Sequence, residues 1–181
     1  MTKLFATQAI ILKRRNYQEL DQLITFFTKR FGKIIVRARG VRKISSKRAS
    51  NLDLFNHVNI FLYKNHDFYT LTEVKLMHNF DTLKKSLNRI SFGFQVAEIL
   101  DSLLAQEQEN IHIFEITLGI LAILEDKNNC SYSDIYEYKK ALLLDLGFAT
   151  VDSLSYDNID IQIQNIIEKR LQSLQFLTSL K

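Results

Sequence analysis

The side chains with most chemistry to offer in this sequence are cations set among aromatic rings, and they crowd into its first half. Lys13-Arg14-Arg15 precedes Tyr17, Lys29-Arg30 precedes Phe31, and Lys33, Arg37, Arg39, Arg42, Lys43, Lys47 and Arg48 follow. Lysine and arginine neutralise phosphates and release condensed counterions, while an exposed ring gives an unpaired base something to stack on. Residues 1–80 hold 15 Lys and Arg against five Asp and Glu, a net charge of +10; residues 81–181 hold nine against 15, a net of −6. The overall +4 hides that division. It points to two modules, the first with a polyanionic partner.

Catalytic chemistry is harder to find. His57, His66, His78 and His112 form no HxH or HExxH pair, and Gly32-Lys33 and Gly40 belong to no phosphate-cradling glycine motif. The single cysteine, Cys130, excludes an internal disulfide and any zinc site built on several thiolates. Glu19 and Asp21 share a face if extended and, with Asp53, form the one carboxylate set that a metal-dependent nuclease could use. A turn or salt-bridge role fits them better. The sequence therefore predicts no enzyme activity, no cofactor and no metal. No apolar run approaches the roughly 18 residues of a membrane span, and the start MTKLFATQAIILKRR lacks a signal-peptide layout. A cytoplasmic protein is expected.

The elements that must position the cations read as strands. Ala6 to Arg15, Leu20 to Lys29, Lys33 to Arg42, His57 to Lys64 and Phe68 to Leu76 are short, β-branched or aromatic runs separated by turn residues, with a longer loop from Val41 to Leu54. In the third, a period of two puts Ile34, Val36 and Ala38 on one face and Lys33, Arg37 and Arg39 on the other. Five such strands predict a small barrel or sandwich. From Asp81 the period becomes helical. Leu83, Leu87, Ile90, Phe94 and Ala97 make one stripe and Phe92, Val96, Ile99, Leu100 and Leu103 another, which predicts a helix central to its domain. Further helices follow over Ile111 to Leu124, after a cap at Ser133 or Asp134 and ending at Gly147, and around Ile163 to Leu174. Four helices predict a bundle. The fold class is thus α+β, with a basic barrel over 1–80 and a helical domain over 81–181.

The order of features resembles the RecO family of DNA repair proteins. The matching residues are Ala9-Ile10-Ile11-Leu12, Tyr17-Gln18-Glu19-Leu20-Asp21, Phe27-Thr28 with Gly32-Lys33, and Ala38-Arg39-Gly40-Val41-Arg42-Lys43. They continue with Leu52-Asp53-Leu54-Phe55, Leu62-Tyr63 and Leu71-Thr72-Glu73, then Ala141 to Phe148 with its Leu-Gly-aromatic stop, and loosely Leu174-Gln175-Phe176-Leu177. The resemblance implies an N-terminal OB-fold and a helical domain. It also implies a recombination mediator that binds single- and double-stranded DNA, anneals complementary strands and acts with RecR to load RecA onto DNA coated by single-strand-binding protein. Relatives often carry paired CxxC motifs after that stop; Ala149 to Asp160 has no cysteine, so a short member without the zinc motif is expected. Leu54 stands where a proline is common, and Tyr136 and Glu137 where arginine is frequent.

The sequence reading is a non-enzymatic, nucleoid-associated DNA-binding mediator. Its expected DNA contacts are Lys13, Arg14, Arg15, Tyr17, Lys29, Arg30, Lys33, Arg37, Arg39, Arg42, Lys43, Lys47 and Arg48, with Phe31 as a second stacking candidate. Lys84, Lys85, Arg89, Lys139 and Lys140 are the cations available to dock an acidic tail of single-strand-binding protein. An RNA-binding OB module shares the charge pattern and is the alternative.

Overall fold

The computed structural model describes residues 3–65, 68–126 and 131–174. His66, Cys130 and residues 175–177 lie outside the described residues. Five strands form a closed barrel in the order β1-β2-β3-β5-β4: β1 (Lys3–Tyr17), β2 (Asp21–Thr28), β3 (Gly32–Ala38), β4 (His57–Asn65) and β5 (Phe68–His78). This is the OB-fold arrangement.

The 15-residue β1 pairs through Lys3–Ile10 with β4 and through Ala9–Tyr17 with β2, which lets one strand turn the corner of the barrel. A register shift between Ile11 and Lys13 supplies extra bend. The predicted alternation in β3 holds for the inward set. Ile34, Val36 and Ala38 join Ala9, Ile11, Ile24, Phe26, Ile60, Leu62, Tyr69 and Leu71 in one core. Each fully buried aliphatic side chain contributes about 1.5–3 kcal/mol of transfer free energy.

The long loop after β3 is more than a solvated connection. Val41 and Leu52 enter the core and close the barrel, and Ala49–Asn51 form a 3-10 turn. Two cations fix this plug. Arg14 Nη1 donates to the Leu52 carbonyl at 2.9 Å, and its Nη2 lies 2.9 Å from Asp53 Oδ1. Arg48 donates to the carbonyls of Arg39 (2.6 Å), Leu71 (3.2 Å) and Thr72 (3.3 Å). The β3–β5 ladder runs only through Val36–Tyr69 and Arg37–Thr70. Arg48 therefore bonds carbonyls just past the point where the ladder ends.

The chain divides into two compact units, Met1–Asn79 with Leu104–Phe114, and Phe80–Leu103 with Glu115–Lys181. The excursion Leu104–Phe114 packs on the outer face of β1–β3, which the sequence reading did not foresee. Gln106 bridges Lys33, Glu107 N–H donates to the Lys33 carbonyl at 2.9 Å, and Phe114 meets Phe27 edge-on at 5.6 Å. Phe27, outward by alternation, is buried with Phe114 of this segment against it.

In the other unit, the predicted long helix is broken at Lys85–Ser86 into α1 (Asp81–Lys84) and α2 (Leu87–Leu103). Only one of its two stripes is well buried. Val96, Ile99 and Leu100 are in the interior, whereas Leu87 and Phe94 are exposed. α3 (Ile111–Glu125), α4 (Tyr132–Asp145) and α5 (Ile159–Ile166) follow. The cap of α4 is Ser131, not Ser133 or Asp134. Asp134 closes it by accepting from Ser131 N–H and Oγ–H, both at 2.8 Å. At the other end Gly147 adopts φ +73°, and Phe148 N–H reaches the Leu143 carbonyl at 2.9 Å, the six-to-one bond of a Schellman stop. No helix among the described residues is long and apolar enough to cross a membrane.

Gly32 is where the covering segment comes closest. It has φ +62°, and a Cβ there would sit 1.8 Å from the Gln108 carbonyl oxygen. Gly32→Ala is expected to lower stability by about 2–4 kcal/mol, combining left-handed strain with that overlap. Urea unfolding checks this; an unchanged midpoint would show that Leu104–Phe114 does not hold against the barrel.

Candidate nucleic-acid interface

Asp21 organises the site. It begins β2 immediately after the β1–β2 turn, and it is nearly buried. Its Oδ1 accepts from Gly40 N–H at 2.7 Å, and its Oδ2 accepts from Arg37 Nε at 2.8 Å with Nη2 at 2.7 Å. Arg37 Nη2 also donates to Gln18 Oε1 at 2.7 Å, and its guanidinium lies over the Tyr17 ring, 5.3 Å from the centroid. Arg42 completes the tie from the far side, donating Nη1 to the Glu19 carbonyl at 2.9 Å and N–H to the Leu20 carbonyl at 3.0 Å. Tyr17-Gln18-Glu19-Leu20-Asp21 and Ala38-Arg39-Gly40-Val41-Arg42-Lys43, two separate motifs in the sequence, are thus one hydrogen-bonded unit. Gly40, with φ +63°, makes the turn that aims its N–H at the carboxylate.

The Gly40 hydrogen bond, aided by Arg37, holds the Asp21 carboxyl below its ordinary pKa despite the opposing effect of burial. Next to this neutralised carboxylate opens a groove of about 560 Å³, lined by Gln18, Glu19, Leu20, Asp21, Arg37, Arg39, Gly40 and Lys43. Arg15 faces the same way: it pairs with Leu23, which pairs with Arg37. Arg39, Lys43, Arg15 and Lys47 are exposed, and none of them forms an ion pair with a carboxylate among the described residues.

Other expected contacts are placed elsewhere. Arg14 pairs with Ile24, an inward position, so it points away from Lys13 and Arg15 and serves the loop plug. Arg48 is the second staple of that plug. Lys29 and Arg30 sit at the β2–β3 turn, some six residue steps or about 20 Å along the strands from the groove. Lys33 corrects the expectation of an exposed face: it is only 8% exposed, because Leu104–Phe114 lies over it. Phe31 is half-buried, packed on the core and edge-on to Phe5 at 5.4 Å, so it is no open platform. Lys64, nearby, is held by Glu107 at 3.0 Å, which raises its pKa.

The docking set of the helical unit changes as well. Lys139 is 1% exposed; its Nζ lies 2.5 Å from Asp160 Oδ1 and 2.9 Å from Gln95 Oε1, and burial lowers its pKa. It is an internal cation and not a rim for a partner. Arg89 bonds the Glu125 carbonyl at 3.2 Å and Lys140 lies over Tyr136 at 5.9 Å, whereas Lys85 is exposed and Lys84 half-buried. The carboxylates of the nuclease alternative do not converge: both Asp21 oxygens are engaged by Arg37 and Gly40, and Asp53 pairs with Arg14. One aromatic escaped notice as a surface residue. Phe68 is 74% exposed, which the inward alternation of Tyr69 and Leu71 would have signalled.

Barrel order, loop plug and basic groove together define an OB-fold domain with a cationic groove. The family described as Recombination protein O N terminal matches residues 1–80, and the chain belongs through this domain to the RecO family of DNA repair and recombination proteins. It is 34% identical over 122 residues to DNA repair protein RecO of Roseiflexus sp. (strain RS-1), covering 67% of this chain and 43% of that protein. The RecO of Clostridium novyi (strain NT) is 31% identical over 112 residues, 62% of this chain and 44% of that one. For Listeria welshimeri the figures are 27% over 146 residues, 80% and 57%. The chain spans about half the length of these relatives.

The Asp21 clasp has a pH signature. A carboxyl whose folded pKa is depressed contributes its full stability above the unfolded value of about 4, and loses it as pH falls through the lower folded value. Asp21→Asn is expected to cost about 1–3 kcal/mol at pH 7 by weakening the bonds to Arg37 and Gly40. The gap from the native chain should narrow toward pH 3, as measured by urea unfolding at both pH values. Equal stability at pH 7 would contradict the clasp.

Proposed function

We propose that the barrel binds single- and double-stranded DNA through its phosphates along the groove between the β1–β2 turn and the β3 exit. Arg39, Lys43, Arg42, Arg15 and Lys47 make the contacts. The observation that carries this is the separation of cations by task. Arg14, Arg37 and Arg48 are consumed by carboxylates and carbonyls of the fold, and Lys33 and Lys64 are covered or paired. Arg42 is exposed but shares its guanidinium with the Glu19 carbonyl, whereas Arg39, Lys43, Arg15 and Lys47 are exposed. Counting Glu107 and Glu109 with the unit they pack in, the barrel unit carries a net +8 and the helical unit −4. A polyanion is drawn to the first and repelled by the second.

On this reading the chain is a non-enzymatic recombination mediator. Screening of two strands by one cationic surface lets complementary bases meet, which is annealing without a nucleotide cofactor. The names of the relatives support a role in DNA repair. Cooperation with RecR, and the loading of RecA onto strands coated by single-strand-binding protein, complete the proposal, with the acidic helical unit as the protein-docking half.

Charge reversal tests it, at residues outside the clasp. Arg37 is unsuitable because its loss would free Asp21. Arg39→Glu with Lys43→Glu should weaken binding of a DNA oligonucleotide while leaving the urea midpoint unchanged. The slope of log affinity against log salt should become shallower by about 1.5, close to two phosphate contacts. Titrations at several salt concentrations read both numbers, and an unaltered slope and affinity would refute the assignment.

A further inference from the structure

We infer that Phe68 is a base-stacking platform that gives the barrel a preference for unpaired strands, an inference that rests on the DNA-binding reading above. Phe68 opens β5 and is 74% exposed, on a strand whose next alternate residues, Tyr69 and Leu71, turn into the core. The β3–β5 register sets Val36 beside Tyr69 and Arg37 beside Thr70, so Phe68 stands beside Ile35 on the outer face. Strand geometry places its Cα roughly 8 Å from that of Arg37 and roughly 14 Å from that of Arg39. The same outer face continues through the pairs Thr70–Tyr63 and Tyr63–Leu4, with Leu4 76% exposed.

An apolar ring roughly 14 Å along the same face from the first displayed cation, Arg39, matches a ligand with a charged backbone and flat, uncharged faces. A single strand of nucleic acid offers both. A duplex hides its base faces in its own stack, so Phe68 adds nothing to its binding. Tyr17, the other exposed ring near the groove, is less suited because the Arg37 guanidinium already overlies it. Phe68 joins no ring pair or cation contact among the described residues.

The chain contains no tryptophan, so Phe68→Trp introduces a single indole at the proposed contact. Titration with an oligothymidylate should quench that indole over the concentrations at which a labelled strand binds, and inorganic polyphosphate should not. Phe68→Ala should weaken single-strand binding about five- to hundredfold, with duplex affinity held within about twofold. Its salt slope should equal that of the native chain, because a phenyl ring releases no counterions. Unchanged single-strand affinity in Phe68→Ala, or an indole quenched no more by the oligonucleotide than by polyphosphate, would overturn the inference. If the native chain binds both strand types and Phe68→Ala behaves identically, this inference fails alone. If the native chain binds neither, the DNA-binding reading fails and takes this one with it.

Discussion

A single carboxylate sets the geometry on which the rest of the interface depends. Asp21 takes Gly40 N–H on one oxygen and the Arg37 guanidinium on the other, joining the end of β3 to the start of β2. Without it, the turn at Gly40 would lose its bond to the start of β2, leaving Arg42 and Arg48 to hold the chain that carries Arg39 and Lys43. Charge-assisted bonds of this kind are among the stronger ones a surface can offer, and near-burial protects this one from salt. The arrangement also solves an electrostatic problem. A negative charge beside the proposed phosphate path would repel the ligand; that of Asp21 is spent on an arginine and a backbone amide, whereas Glu19 stays exposed on the groove's edge.

The basic half of the chain divides its cations between building and display. Arg14 and Arg48 hold the loop whose Val41 and Leu52 close the barrel, and Arg37 serves Asp21. Guanidinium suits these tasks because its planar fork can bond two or three oxygens at once. The displayed cations are mixed, with Arg15 and Arg39 beside Lys43 and Lys47. The acidic segment Leu104–Phe114 removes the other end of the outer face, covering Lys33 and pairing Lys64.

Much of this was legible from residue order. The five strands follow from short β-branched runs and turns, which leave barrel and sandwich open; the family resemblance implies the OB-fold. The inward set Ile34, Val36 and Ala38 follows from a period of two. The charge division marks which unit carries the excess of cations. Long-range packing was not legible. Nothing in Lys33 itself shows that residues some seventy positions later will cover it, and Lys139 reads as a surface lysine until Asp160 and Gln95 are brought to it. The three arginines of the fold look like their neighbours in sequence because a staple and a ligand contact use the same side chain. Leu87 and Phe94 read as core from their spacing, yet the burial of α2 favours the other stripe. Periodicity marks an apolar face but does not choose between two adjacent ones.

The central claim is spatial: a nucleic-acid strand lies along the β1–β2 turn and the β3 exit, not over the β2–β3 turn or the helical unit. Amide chemical-shift mapping of the full chain during titration with a short single-stranded DNA measures that directly. The account predicts that the largest changes fall on residues 15–21, 37–43 and 68–70, with residues 29–33 and the helices nearly still. Changes centred on Lys29 and Arg30, or spread evenly over both units, would contradict it.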